Sequence, residues 1–318
     1  MQNSPHPLIN KDLTDIKENI LATLAYFDLF NYPLTRTEVY LFLKKKHAHE
    51  LFDSSLKSLA DDGIIYQFER FYSLQNNPDL ISGRNEGNKK AQELIRIAKT
   101  VGNILIRFPY VRGIAISGSL SKNFADEYSD IDLFVITAKN RLWIARTIMH
   151  CFKKLTFLVN KERYFCMNYY VDEQQLEICE KNIYTAIEIA TLIPLQGDIM
   201  FENFFSANLW TREFLPNKYM RVATAKPVKT TVLKKLVNWL PENPLSNMID
   251  NILMKVTARR WAHSAKLKKV NSKGAVMAMA VDKHYSKPDP GNFQSKLLAR
   301  YTLKVTGVLQ EHENRLAH

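Results

Sequence analysis

The stretch SGSLSKNFADEYSDIDLFVIT, residues 117–137, places Asp130 and Asp132 within what otherwise reads as a buried strand. An unpaired carboxylate is costly to bury, so two carboxylates on one strand indicate that something positively charged binds there. No other feature of the chain constrains its fold as much.

The pattern around these aspartates predicts a strand, a turn and a second strand. Residues 113–117 read as a short apolar strand, Gly118 and Ser119 as a turn that needs a small residue, and residues 131–137 as the second strand. Because strand side chains alternate between faces, Asp130 and Asp132 are expected to project together. Two carboxylates on one face suit Mg²⁺ or Mn²⁺, which bind carboxylates together with water and substrate phosphates.

A glycine at position 118 lets the backbone approach a phosphate group closely, and the amides of Gly118 and Ser119 are candidate donors to it. Gly118-Ser119, ten further residues and then Asp130-Ile131-Asp132 with apolar neighbours resembles the signature of the nucleotidyltransferase superfamily, to which DNA polymerase β belongs. The resemblance implies an α+β fold, with a small mixed sheet and helices, over about residues 91–217. It also implies transfer of a nucleoside monophosphate from an NTP such as ATP to an acceptor hydroxyl, with release of pyrophosphate.

The resemblance implies a role for each residue of the motif. Asp130 and Asp132 are the expected catalytic and metal-binding residues, with Mg²⁺ or Mn²⁺ as the cofactor. Gly118 and Ser119 are the expected nucleotide-binding residues, and Lys122 is a candidate contact for the β- or γ-phosphate.

The family usually supplies a third acid from a neighbouring strand, and the next strand pattern, RYFCMNYYV at residues 163–171, holds none. Its interior polar residue is Asn168, a weaker metal ligand than aspartate. Glu177 is the other candidate, on a predicted strand at residues 175–179, whereas Asp172 and Glu173 read as turn residues. The sequence leaves open whether two carboxylates sustain transfer or the domain only binds nucleotide.

Residues 1–75 predict three helices followed by a two-stranded hairpin. The first helix is expected at about residues 14–30 with Thr14 as its N-cap, and Thr35 and Glu38 form a capping box for the second. The third helix begins at about residue 53, and strands surround residues 69–70. This order resembles a winged helix-turn-helix domain, which either reads DNA or docks onto protein. The acidic third helix favours docking.

Residues 76–90 are polar and turn-rich, and predict a linker between the first domain and the next. Two helices, at about residues 183–195 and 201–215, are expected to complete the central domain. Residues 218–318 predict a basic helical region, and the segment KGAVMAMAV at residues 273–281 reads as a helix rich in small residues.

The chain of 318 residues has a formal net charge of +12, and that excess is C-terminal. Residues 211–318 contain 20 Lys and Arg against seven Asp and Glu, a net charge of +13. This region is therefore a candidate site for RNA or another polyanionic acceptor. Three scattered cysteines and the lack of an apolar run long enough for a membrane span predict a cytoplasmic protein that does not bind membranes.

Three functions remain open from the sequence. The first is an Mg²⁺-dependent nucleotidyltransferase with an unidentified acceptor. The second is a weak or inactive nucleotidyltransferase fold that acts as a nucleotide sensor or partner-binding module. The third is a DNA-binding regulator that acts through its winged helix.

Overall fold

The structure is a computed structural model and describes residues 7–220, 225–228, 244–270, 276 and 278–316. The helices of this part of the chain are α1 (Pro7–Asp28), α2 (Arg36–Leu41), α3 (His49–Asp61), α4 (Asp79–Leu105), α5 (Gly118–Ser121), α6 (Leu142–Thr156), α7 (Ile183–Ala190), α8 (Asp198–Ala207), α9 (Thr211–Phe214), α10 (Pro244–Lys266) and α11 (Phe293–Leu316). The strands are β1 (Leu34–Thr35), β2 (Tyr66–Phe68), β3 (Phe71–Ser73), β4 (Val111–Ile116), β5 (Asp132–Thr137), β6 (Cys166–Asp172), β7 (Ile193–Gln196), β8 (Met279–Val281) and β9 (Tyr285–Pro288).

The first three helices and strands β1 to β3 form an N-terminal unit with its own small antiparallel sheet, in the order β1-β3-β2. The Thr35 side chain accepts a hydrogen bond from the Glu38 backbone amide, and the Glu38 carboxylate accepts one from the Thr35 backbone amide. The predicted capping box is therefore confirmed. The hairpin turns at Glu69, as expected. Thr14 lies inside α1, which begins at Pro7, so its prediction as the N-cap is wrong. The winged-helix assignment stays a prediction.

Residues 79–90 are helical rather than a turn-rich linker, because α4 begins at Asp79 and runs without interruption to Leu105. Three of its first residues are buried, namely Ile81, Arg84 and Gly87. A Cβ atom on Gly87 would collide with the Phe124 ring, which packs against the helix backbone at this point. The polar composition of residues 79–90 does not predict this buried helix, because its contacts are with residues distant in the sequence.

Six strands form the central sheet in the order β7-β4-β5-β6-β9-β8. Strand β5 pairs antiparallel with β4 and parallel with β6, and the remaining neighbours pair antiparallel. The crossover from β5 to β6 contains α6, whose buried side chains include Trp143 and Met149. The chain is thus mixed helix and sheet, consistent with the predicted α+β class.

The C-terminal part of the chain is not purely helical, contrary to the prediction. Strands β8 and β9 form a hairpin that extends the central sheet beyond β6, where a helix rich in small residues was expected. Two further predictions need correction. Residues 193–196 are strand β7 rather than the end of a helix, and the helix expected at 201–215 is divided into α8 and α9.

Helices α10 and α11 pack against elements that come earlier in the sequence, namely α6 and α1. The Asp250 carboxylate of α10 accepts from the Ile144 amide at the start of α6, at 2.9 Å. Tyr301 of α11 is buried against α1, and its hydroxyl donates to the Ala22 carbonyl. Among the described residues, no helix combines the length and the apolar character needed to cross a membrane.

Candidate functional site

Gly118 lies at the turn between β4 and the short helix α5, in direct contact with Asp132. Its φ of +69° is in the left-handed region that glycine adopts without strain. A Cβ atom at this position would lie 2.7 Å from Asp132 Oδ2. The Ser117 amide donates to the Asp132 carbonyl at 2.9 Å, so the turn and the start of β5 are tied together. The local geometry therefore requires glycine beside this aspartate.

The two motif aspartates differ in their placement. Strand β5 begins at Asp132, and Asp130 lies in the segment before it, so the expectation that both lie on the strand is wrong. Ile131 between them is buried, and its amide donates to the Arg163 carbonyl. Asp132 lines two cavities that meet at Gly118, whereas Asp130 lines neither of them.

Asn168 lies beside Asp132, at the position where the sequence analysis expected a third acid. Its side-chain amide donates to Asp132 Oδ1, and its own oxygen accepts from the Cys166 thiol. The parallel register of β5 and β6 shifts between Leu133 and Phe134, and this irregularity accommodates Asn168. Burial raises the pKa of Cys166 to about 11, and the nearby Asp132 charge adds to this shift.

Glu177 lines neither of the two cavities that Asp132 lines. Residues 173–182 contain no strand, so the strand that was expected to direct Glu177 toward the site is not formed. Its carboxylate pairs with Lys181 at 2.7 Å on the protein surface. Within the described part of the chain, no three His, Cys, Asp or Glu side chains are grouped so that they could hold a metal ion.

Asp172 and Glu173 have structural contacts; Glu173 lies in a turn, as predicted, whereas Asp172 is the last residue of β6. Asp172 is fully buried and accepts from the Asn140 and Gln174 amides. It also pairs with His284 at 2.9 Å. Glu173 accepts from the Lys139 amide at 3.1 Å. These bonds fix the loop after β6 to the loop after β5 and leave both carboxylates outside the two cavities.

Lys122, the predicted phosphate contact, is held by an acid that the sequence analysis did not identify. Its ammonium group donates to Glu188 at 2.7 Å and to the Gly118 carbonyl at 3.0 Å. Glu188 lies on α7, and its spacing within that helix gives no sign that it faces the motif. Tyr184 is one turn earlier on α7; burial raises its pKa, and the charges of Glu188 and Asp132 raise it further.

Two adjoining cavities flank Asp132. The first, which we call the sheet cavity, has a volume of about 180 Å³ and includes Asn168, Thr185 and Lys287 in its lining. The second, which we call the aromatic cavity, has a volume of about 390 Å³ and includes Ser119 and Lys122. Both are lined by Gly118, Asp132, Tyr184 and Glu188. Lys287 comes from strand β9, which was not predicted from the sequence, and so it was also missed.

The loop that carries the motif is fixed to the N-terminal unit. The Tyr32 hydroxyl donates to the Lys122 carbonyl, and the Tyr32 and Phe124 rings meet edge to face at 5.7 Å. The Arg84 guanidinium lies over the Tyr32 ring at 3.6 Å and donates to Glu38 at 2.6 Å. The N-terminal unit therefore helps to hold the conformation of residues 118–124.

Lys287 of the basic C-terminal region lines the sheet cavity, but the cluster of basic residues at the end of α10 does not. Arg259, Arg260, Lys266, Lys268 and Lys269 belong to the end of α10 and the loop after it, and none of them lines either cavity. The aromatic side chains of Phe204, Phe205 and Trp210 are buried in the core, and Phe214 packs against it.

Residues 97–194 match the model of the nucleotidyltransferase domain family. The matched range contains Gly118, Asp132 and Asn168, together with the newly identified Tyr184 and Glu188. No curated protein and no solved structure matched the chain. The family match supports the superfamily for this central part of the chain, and with it a general nucleotidyl transfer function and an NTP substrate.

Proposed function

We propose that the chain is an Mg²⁺-dependent nucleotidyltransferase that transfers a nucleoside monophosphate from an NTP to an acceptor hydroxyl, with release of pyrophosphate. The observation that carries this proposal is the packing of Gly118 against Asp132. This contact places a backbone turn that can bind phosphate next to a carboxylate that can bind a metal ion, and both residues line the two cavities.

The donor set around Asp132 suits a metal ion that is also bound by substrate. Asp132 and Asp130, two residues before it, provide two carboxylates, while the neutral Asn168 side chain donates to Asp132 and adds no charge. Mg²⁺ commonly binds one or two carboxylates together with substrate phosphates and water, so these residues fit such an ion. When bound, the ion would neutralise phosphate charge and lower the pKa of the acceptor hydroxyl.

The chain's own residues have separate tasks in this proposal. The Gly118 and Ser119 amides donate to phosphate oxygens, because the glycine leaves space for the phosphate next to the backbone. Lys122 contacts the β- or γ-phosphate after its ammonium leaves Glu188, from which it is 2.7 Å away. The side-chain amide of Asn168 orients Asp132 by donating a hydrogen bond to its carboxylate.

A second candidate function is favoured by the same Asn168. Where a third carboxylate would complete the charge of the site, this chain has a neutral amide that already donates to Asp132. A site with fewer charged ligands holds a metal ion more weakly, so it binds the nucleotide but turns the nucleotide over slowly or not at all. In that case the chain would act as a nucleotide sensor or partner-binding module.

Transfer is tested with NTP labelled at the α-phosphorus, incubated with Mg²⁺ and with RNA, protein or small hydroxyl compounds as separate acceptors. We expect label on one acceptor class with the native chain and none with Asp132→Asn, which keeps the size of the side chain but removes its charge. Glu177→Gln is the matched control, because Glu177 pairs with Lys181 on the surface and lines neither cavity. Nucleotide binding without any labelled product in all three classes would favour the sensor function.

A further inference from the structure

The aromatic cavity is lined mainly by rings, and most of these rings come from the N-terminal unit. Seven of its lining residues are aromatic: Tyr26, Phe27, Phe30, Tyr32, Phe124, Tyr184 and Phe293. The first four belong to α1 and the loop after it. Two of the seven, Phe30 and Phe293, are 44% exposed, so their ring faces are open to a ligand.

The rings form two separate contact groups around the cavity. In the N-terminal unit, Tyr26 contacts Phe30 with ring centroids 5.7 Å apart. On the other elements, Tyr184 of α7 contacts Phe293 of α11 with centroids 6.0 Å apart. Elements distant in sequence thus contribute ring faces to one cavity, a composition typical of pockets that bind flat apolar groups.

The same cavity contains the residues proposed to bind phosphate. Gly118, Ser119 and Lys122 line it together with Asp132, whereas Ser119 and Lys122 do not line the sheet cavity. A triphosphate held by these residues therefore lies in the aromatic cavity. Its volume of about 390 Å³ is within the usual range for small-molecule sites.

Several polar groups in the cavity are already engaged within the protein. The Tyr32 hydroxyl donates to the Lys122 carbonyl, and the Lys122 ammonium is engaged by Glu188 and the Gly118 carbonyl. The carboxylates of Asp132 and Glu188 lie near the phosphate-binding turn. The rings, which make up most of the lining, are what the cavity chiefly offers a planar group.

We propose that the aromatic cavity binds the base of the NTP by stacking, with Phe30 and Phe293 as the principal platforms. This inference rests on the proposed function, and it makes the N-terminal unit part of the nucleotide site rather than only a DNA-binding or docking module. Stacking accepts any base because each has a π-face, and larger bases gain more. The site therefore prefers purine over pyrimidine nucleotides and discriminates little between ATP and GTP.

The test measures binding of ATP, CTP and inorganic tripolyphosphate to the full chain by equilibrium dialysis. The variants are Phe30→Ala and Phe293→Ala, and the matched control is Phe157→Ala, a ring that is 55% exposed and lines neither cavity. Loss of one stacking platform is expected to weaken ATP binding about tenfold. Tripolyphosphate, which has no base, should bind all four proteins equally.

Each alternative result would overturn the inference in a different way. Unchanged ATP binding in both variants would place the base elsewhere and leave the proposed function intact. Equal weakening of ATP and tripolyphosphate would show that the rings support the phosphate-binding turn rather than a base. Failure of the native chain to bind ATP, CTP or tripolyphosphate would refute the proposed function itself.

Discussion

Gly118 combines two constraints in one residue, a left-handed backbone and a side-chain neighbour too close for any Cβ atom. We predict that Gly118→Ala lowers the free energy of unfolding by more than Gly63→Ala does. Gly63 has nearly the same φ, +65°, but nothing lies within 4 Å of its added Cβ atom. The control thus measures backbone strain alone, about 1–2 kcal/mol.

The contact with Asp132 should cost Gly118→Ala at least about 1 kcal/mol more, since neither the backbone nor the strand can move freely. Denaturant unfolding of both variants gives the two values, and dialysis against ATP should show weaker binding for Gly118→Ala alone. Equal losses of stability with unaltered ATP binding would mean that the close packing at Asp132 has no special role.

Asn168 determines how much charge the site carries. We predict that Asn168→Asp lowers the melting temperature without divalent metal, because two carboxylates would then lie within hydrogen-bonding distance of each other. Added Mg²⁺ should stabilise this variant more than the native chain, since a cation bound between the carboxylates removes the repulsion.

Asn168→Ala is the matched control for that variant, because it removes the bond to Asp132 without adding a charge. It should cost about 2 kcal/mol, typical for a hydrogen bond to a charged group, and gain nothing from Mg²⁺ beyond the native response. Thermal melts with and without Mg²⁺ compare the three proteins. If the metal raises all three melting temperatures equally, the carboxylate at position 132 does not face a metal site.

At the scale of elements, α4 joins the N-terminal unit to the central sheet through Arg84. This side chain is 3% exposed, lies over the Tyr32 ring and donates to Glu38. Burial lowers the pKa of Arg84 to about 10 and raises that of Glu38, so desolvation opposes both charges although they are paired. The pair is thus sensitive to the loss of either partner.

We predict that Arg84→Ala lowers the free energy of unfolding by about 3–5 kcal/mol, because it leaves the Glu38 carboxylate without its partner. The double variant Arg84→Met/Glu38→Gln should regain part of this loss. Arg96→Ala is the control, an exposed arginine on the same helix. Denaturant unfolding measures the free energy of unfolding of each variant. If Arg84→Ala lowers it no more than Arg96→Ala does, the Arg84–Glu38 pair contributes nothing to stability.

Helix α6 carries a buried histidine that should make the fold sensitive to acid. Burial, followed by the charges of Arg146, Lys153, Arg260 and Lys154, lowers the pKa of His150 to about 3. The unfolded chain takes up this proton at about pH 6.5, so between pH 6.5 and 3 it binds more protons than the folded chain does. The contribution of His150 is therefore complete above pH 6.5 and is lost as the pH falls toward 3.

We predict that His150→Gln flattens the decline of unfolding free energy between pH 6.5 and 4, since the variant has no group to protonate at this position. His263→Gln, on the exposed side of α10, should follow the native curve. Denaturant unfolding at several pH values compares the three proteins. An unchanged slope in His150→Gln would mean that other groups cause the acid sensitivity.

The sequence predicts elements best where the signal is local. The capping box at Thr35, the hairpin turn at Glu69 and the strand-turn-strand order around Gly118 depend on neighbours in the chain, and the structure contains all three. The start of α4 was missed because its burial depends on the distant Phe124. Strands β8 and β9 were missed because they are held by pairing with each other and, through β9, with the distant strand β6.

The same distinction holds for the candidate site. Gly118, Asp132 and Asn168 follow from one motif and one strand pattern, and the structure brings them together. Glu188, Tyr184 and Lys287 reach the cavities from α7 and β9, so only the tertiary fold identifies them. Asp130 could not be placed from alternation alone, because strand β5 begins at Asp132 rather than at residue 131, which leaves Asp130 in the segment before it.

At the scale of the whole molecule, the two ends of the chain meet around the central sheet. Helix α11 packs on α1 through Tyr301, and Lys304 pairs with Asp28. The aromatic cavity is built where these helices approach Gly118 and Asp132. Residues from near both ends of the described chain thus line the candidate site.

The most direct test of the central claim is pyrophosphate release from each of the four NTPs with Mg²⁺ or Mn²⁺, with and without RNA. It compares the native chain with the double variant Asp130→Ala/Asp132→Ala. We predict metal-dependent release by the native chain, faster with purine NTPs, and none above background by the variant. Native release no greater than that of the variant, under every condition, would contradict the assignment of transferase activity.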